Sequence, residues 1–154
     1  MAFTSLSPAF DVHPDRIYAF NNADTINGRC VPDRMISCDA FASRYPTSLW
    51  HDEASDKLFV TVCDDPGSLL IFNNASTINS KVTAESSTTS GFAWAISVAY
   101  DPGRDIIYVL EEANDPYTIL SWDNGSSVSG TANRTITTSY LYDHIVAIAV
   151  DPTR

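Results

Sequence analysis

The sequence predicts an all-β fold made of antiparallel four-stranded units, and three observations carry that expectation. First, one stretch is written three times: Ala19-Phe20-Asn21-Asn22-Ala23-Asp24-Thr25-Ile26-Asn27-Gly28, then Ile71-Phe72-Asn73-Asn74-Ala75-Ser76-Thr77-Ile78-Asn79-Ser80, then Ser121-Trp122-Asp123-Asn124-Gly125-Ser126-Ser127-Val128-Ser129-Gly130. The second asparagines lie at 22, 74 and 124, steps of 52 and 50 residues. Second, Asp101-Pro102-Gly103-Arg104 returns 50 residues on as Asp151-Pro152-Thr153-Arg154, and Asp52-Glu53-Ala54-Ser55 is a degenerate copy 49 residues before it. Third, no stretch carries a helical period; apolar residues run in short blocks between Asp, Asn, Gly and Pro turns. Repeats of this length decide the architecture before anything else does.

The repeat spanning residues 91–138 shows the unit most completely. Ala95-Ile96-Ser97-Val98-Ala99-Tyr100 alternates as a half-buried strand does and ends at the turn Asp101-Pro102-Gly103. Ile106-Ile107-Tyr108-Val109-Leu110 is a second strand, rich in β-branched and aromatic residues. After a turn at Asn114-Asp115-Pro116, Thr118–Trp122 forms a third, stopped by Asp123-Asn124-Gly125, and Arg134–Thr138 is a short polar fourth. The preceding repeat predicts strands at Thr47–Trp50, Lys57–Val62 and Ser68–Phe72, with a weak fourth at Lys81–Ala84. Four short antiparallel strands per fifty residues describe one blade of a β-propeller.

Blade units are expected at roughly 1–40, 41–88 and 89–138, with a terminal inner strand in 139–154. The ends are less regular. Ile17-Tyr18-Ala19-Phe20 runs straight into its Asn-Asn turn, so about one hairpin is missing there. At the other end Ile145-Val146-Ala147-Ile148-Ala149-Val150 reads as an innermost strand followed by its Asp-Pro turn, where the chain stops. The expected fold is therefore a β-propeller segment of about three blades with incomplete end blades, completed by another copy.

Phe72-Asn73-Asn74-Ala75-Ser76-Thr77-Ile78-Asn79, followed by the hairpin from Asp101-Pro102 into Ile107-Tyr108-Val109, resembles the repeat of bacterial NHL-like or lactonase-like β-propeller proteins. The likeness runs over roughly residues 10–154. It implies a propeller, though such blades serve in enzymes, binding scaffolds and surface proteins alike. That family usually strings six or seven blades together, so about three put single-chain closure in question. Propellers avoid exposed edges by closing a ring of about four to eight blades. Residues 145–150 of one chain would complete the N-terminal blade of another, giving a closed ring in a two-fold dimer or a filament if the contact never closes. A piece of a longer propeller is the plain alternative.

Composition narrows the partners. The net charge is -10 and the only lysines are Lys57 and Lys81, so the chain repels phosphate backbones and anionic membrane surfaces; nucleic acid is not an expected partner. No apolar run approaches about 18 residues, so no membrane insertion is expected. Met1-Ala2-Phe3-Thr4-Ser5 lacks the regions of a signal peptide, so the chain either stays inside the cell or is a segment without its leader. The leading placement is extracellular or cell-surface. Of three cysteines, Cys30 and Cys38 flank a short segment and would pair in an oxidising compartment, against the reading of three thiols in or near the core.

Alignment on the Asp-Pro turns makes Tyr45, Trp94 and His144 equivalent, preceded by Arg44, Ala93 and Asp143 and by Ser43, Phe92 and Tyr142. These positions enter the innermost strand, at the rim of a propeller's channel. A rim of Arg44, Tyr45, Phe92, Trp94, Tyr142, Asp143 and His144 offers flat faces and polar groups to a glycan or small ligand; the alternative is that the aromatics fill space between blades. Asp143-His144 has the composition of an acid/base pair or half a metal site, but no equivalent carboxylates recur. The resemblance implies a channel metal held by acidic and amide residues in a lactonase-like hydrolase, and no matching set stands at equivalent positions. No catalytic residue, metal or cofactor is therefore assigned. A structural calcium ion near Asp64-Asp65 or Glu111-Glu112 would need convergent oxygens. Asn74-Ala75-Ser76, Asn124-Gly125-Ser126 and Asn133-Arg134-Thr135 satisfy the N-glycosylation pattern, but the first two are equally good turn chemistry, and Asn22-Ala23-Asp24 keeps the turn while losing the pattern. The leading function is a non-catalytic structural or interaction protein that binds other copies of itself. A glycan- or ligand-binding module and a metal-dependent hydrolase are the alternatives.

Overall fold

The computed structural model describes residues 2–6, 16–41, 45–63, 66–88, 94–112, 117–137, 145 and 147–151. They form three four-stranded sheets. The first joins β1 (Ala2–Leu6), β2 (Arg16–Phe20) and β3 (Arg34–Ser37) in antiparallel order. The second is built from β4 (Tyr45–Asp52), β5 (Lys57–Cys63) and β6 (Ser68–Asn73). Residues after β6 first lend a two-residue strand, β7 (Ser80–Lys81), parallel to β3 of the first sheet, and then return as β8 (Ser86–Thr88) beside β6. The third sheet is β9 (Ala95–Asp101), β10 (Ile106–Glu111), β11 (Thr118–Asp123) and β12 (Arg134–Thr137), antiparallel throughout.

Two expectations are corrected. The fourth strand of the second repeat lies at Ser86–Thr88, because Lys81 pairs with the neighbouring sheet instead. The detour is paid for in length: Leu69 pairs with Thr88, nineteen residues on, whereas Ile119 pairs with Ile136, seventeen on. At the N-terminal end, β1 supplies a strand the repeat pattern did not reveal, since its sequence lies ahead of residues 7–15 and carries no turn marker. By register β1 matches β5 and β10, the second strands of the other sheets. What the first sheet lacks, among the described residues, is only a counterpart of β4 and β9.

Apolar residues on both faces hold the sheets together. Ile17 and Ile36 of the first sheet pack with Leu58, Val60, Leu70 and Phe72 of the second, around Phe41 from a short 3-10 turn at Asp39–Phe41. Phe59, Leu69 and Ile71 on the second sheet's other face pack with Ile107, Val109, Leu120 and Trp122 of the third. Each such side chain contributes about 1.5–3 kcal/mol when fully buried. Strands buried on both faces lose simple alternation, which is why β5 and β6 read as continuous apolar runs.

Both complete sheets carry the same bulge. Thr47 is the extra residue of β4 and Ile96 of β9, 49 positions apart, each near the start of its sheet's first strand. The Asn-x-Ser turn is also held alike in both repeats. Asp56 and Asp105 adopt left-handed backbone (φ 53° in each) just before β5 and β10, and their carbonyls accept from Ala75 N (3.0 Å) and Gly125 N (2.8 Å). Ala75 is fully buried there, whereas a Cβ on Gly125 would sit 2.6 Å from the backbone nitrogen of Ile107 and 2.9 Å from its Cβ. The third repeat therefore needs glycine where the second takes alanine. Gly125→Ala is expected to lower unfolding free energy by about 1–3 kcal/mol in urea titration; an unchanged midpoint would show that this approach relaxes freely.

Candidate functional site

The aspartate at each hairpin does more than turn the chain. Asp56 Oδ1 accepts from the Ser76 amide and Oδ2 from its hydroxyl, both at 2.8 Å. Asp105 repeats this on Ser126 at 2.7 and 2.9 Å, and also accepts from the Tyr100 hydroxyl at 2.8 Å. Burial pushes both carboxyls upward, but the hydrogen bonds outweigh it. Asp56 is held below the ordinary range by Ser76 and by His51, and Asp105 by Tyr100, Ser126 and Lys57. Tyr100 moves the other way, raised first by burial and then by Asp105. Asp101, buried at the Asp-Pro turn, is lowered chiefly by its hydrogen bond from Arg104 (2.8 Å).

This clamp accounts for the Asn-x-Ser pattern. Asn74 and Asn124 are exposed and left-handed (φ 56° and 57°), a conformation asparagine tolerates, while the serine hydroxyl is engaged by the aspartate. Asn133 is exposed too, and its side-chain oxygen accepts from Asp123 N at 2.7 Å, as Asp33 accepts from Asn21 N at 2.8 Å. Sequence reasoning missed Asp56 and Asp105; the signal was an aspartate standing just ahead of the second strand at a 49-residue step.

Strands β4 and β9 show a second repeated device. The hydroxyl of Thr47, at the bulge, donates to Ala95 O across the gap between sheets (2.7 Å). One residue on, Ser48 Oγ accepts from Val98 N at 3.3 Å, so β4 is stitched to β9. Ser97, 49 positions after Ser48, accepts in the same way from Ile148 N at 3.2 Å. Residues 147–151 thus sit beside β9 as β9 sits beside β4. They belong to no sheet, yet their burial alternates: Ala147, Ala149 and Asp151 are exposed, and Ile148 and Val150 half-buried. Ile145 is half-buried and Val146 lies outside the described residues. At the opposite end of the chain, β1 is an edge strand with no further strand beyond it among the described residues.

The remaining sequence-derived positions fall as follows. Tyr45 opens β4 and Trp94 precedes β9, where it forms an isolated bridge with Cys63; they are 55% and 48% exposed, so neither is consumed by packing. Arg44, Phe92, Tyr142, Asp143 and His144 lie outside the described residues, as do His13, Asp64 and Asp65. The structure does not contain the Cys30–Cys38 disulfide. Cys30 is an exposed free thiol and Cys38 a free thiol buried in the core cluster with Phe41, on either side of β3. Among the described residues no group of three His, Cys, Asp or Glu is placed to hold a metal ion. No helix among the described residues is long and apolar enough to cross a membrane.

The chain matches no protein-family model, and no curated protein matches it.

The lowered carboxyls of Asp56, Asp101 and Asp105 contribute stability that is present above the unfolded value of about 4 and lost as pH falls through the folded values. Asp105→Ala, which removes the hydrogen bonds and strains a left-handed position, is expected to cost about 2–4 kcal/mol at neutral pH. Asp105→Asn keeps the turn but should show a shallower loss of stability between about pH 5 and pH 2 than the parent. Urea midpoints across that range are the measurement, and parallel curves for parent and Asn variant would remove the carboxylate from the account.

Proposed function

We propose that this chain is a non-catalytic β-propeller segment of an extracellular or cell-surface protein, one that assembles with copies of itself by strand and blade complementation. One observation carries the reading: the serine stitch from β4 to β9 is repeated from β9 to Ile148, while β1 has no further strand beside it among the described residues. An inner strand without a sheet and a sheet without an inner strand are complementary parts. Adding residues 145–151 to the β1 edge of another copy satisfies a row of backbone groups that otherwise depends on water. Two copies joined reciprocally make a closed ring; copies joined without closure make a fibre.

The experiment is mass in solution by light scattering, on the full chain and on a chain ending before Ile145. The expected result is a dimer or larger species that falls to monomer on truncation. A compact full-length monomer at micromolar concentration removes the proposal.

Exposure of Tyr45 and Trp94 at equivalent strand entrances favours a second reading, a glycan-binding rim. On that reading Trp94→Ala and Tyr45→Ala each weaken binding on a glycan array about tenfold or more. No binding by the parent, or binding indifferent to both changes, eliminates it.

A further inference from the structure

The two ends of the stack present unlike faces, and the repeat tells what each face is for. Tyr108, Ile119 and Ile136 of the third sheet line a groove of about 520 Å³ against Ile148–Asp151. Tyr108 is half-buried, Ile119 is half-buried, and Ile136 is 45% exposed. Their equivalents are closed. Phe59 corresponds to Tyr108 and is fully buried against the third sheet. Ile17 and Leu69 correspond to Ile119, Ile36 corresponds to Ile136, and all three are fully buried against the sheet that follows them. In both junctions within the chain, then, this face receives a successor sheet. In the third sheet the successor is missing among the described residues.

The first sheet has the opposite gap. Leu70 and Phe72 face the sheet before them, as do Leu120 and Trp122, and all four are 5% exposed or less. By register Tyr18 and Phe20 hold those positions in the first sheet, and both are only half-buried. One end of the chain therefore carries the receiving face, the other the inserting face, each already seen engaged with its counterpart inside the same molecule.

Resting on the self-assembly reading above, we propose that the groove lined by Tyr108, Ile119 and Ile136 binds the Tyr18/Phe20 face of a second copy of this chain, head to tail. In the same junction residues 148–150 join β1 antiparallel, with Ile148 opposite Thr4, Ala149 opposite Phe3 and Val150 opposite Ala2. The register follows from β9 and β10, where Val98 pairs with Val109, Ala99 with Tyr108 and Tyr100 with Ile107. Ile148, Ala149 and Val150 stand 50 positions after Val98, Ala99 and Tyr100. Ala2, Phe3 and Thr4 oppose Phe20, Ala19 and Tyr18 as Ile107, Tyr108 and Val109 oppose Trp122, Ser121 and Leu120. The occupant is a copy of this chain because both the apolar pattern and the strand offset belong to its own repeat. Two such junctions close a ring of six sheets.

Two measurements test this on the full chain in a Cys30→Ser background. Ile136→Glu alters a side chain the lone chain leaves open, so folding is retained, as its circular dichroism will report, while self-association weakens about tenfold or more. Phe3→Cys with Ala149→Cys forms a covalent dimer under mild oxidation, visible on a non-reducing gel, in much higher yield than the out-of-register pair Ser5→Cys with Ala149→Cys. If copies assemble and truncation before Ile145 disperses them, but Ile136→Glu associates normally or the out-of-register pair links as well, this junction is wrong and the self-assembly reading survives. A parent chain that stays monomeric overturns both.

Discussion

A sheet that is apolar on both faces has to be covered twice, and this constraint shapes the molecule. The second sheet meets it fully: Leu58, Val60, Leu70 and Phe72 are closed by one neighbour and Phe59, Leu69 and Ile71 by the other. The outer sheets are each closed once among the described residues. Hydrogen bonding inside a sheet cannot relieve this, because ladders satisfy edges and not faces. Stacking is therefore what the repeat is written for, and the number of units in the stack is set by what lies beyond each end.

Between neighbouring sheets the tie is made by small polar side chains on β4 and β9 rather than by a ladder. Thr47 sits at a bulge, where the extra residue frees its hydroxyl to reach Ala95 O. Ser48 accepts a backbone N–H from Val98 of β9, and Ser97 accepts one from Ile148. Such bonds add modestly to stability, about 1 kcal/mol apiece, but they fix the offset from one strand to the next. Apolar packing supplies the larger share of the energy and the serines supply the register.

Much of this was legible in the sequence because the repeat is local. Asn22, Asn74 and Asn124 mark turns, and the alternation from Ala95 to Tyr100 and the β-branched run from Ile106 read directly as strands. What escaped has a common physical origin: it depends on residues far apart in the chain. β1 pairs across the span 7–15, and Ser80–Lys81 leaves its own sheet for β3. The apolar patterning of Ile119 and Ile136 is the same whether or not a neighbour covers them, so only the assembled sheets separate open from closed. The aspartate clamp was hidden for the same reason. Asp56 and Asp105 look like ordinary turn residues until the serine from the next hairpin is brought to them. Of the proposed rim, Tyr45 and Trp94 stand open at matching strand entrances.

The turn at Asn124-Gly125 also sets how this protein ages. An asparagine followed by glycine loses its side-chain amide when the glycine nitrogen attacks the asparagine side chain to form a cyclic imide. Here that nitrogen donates to Asp105 O at 2.8 Å, and Gly125 lies so close to Ile106 and Ile107 that a Cβ on it would stand 2.6 Å from the Ile107 nitrogen. Of the chain's two Asn-Gly pairs, Asn27-Gly28 is exposed with open space around its glycine, whereas Asn124-Gly125 is held while the clamp is closed. Isoaspartate at Asn124, set against that at Asn27, is thus a chemical record of how much time the turn of the third sheet has spent undone.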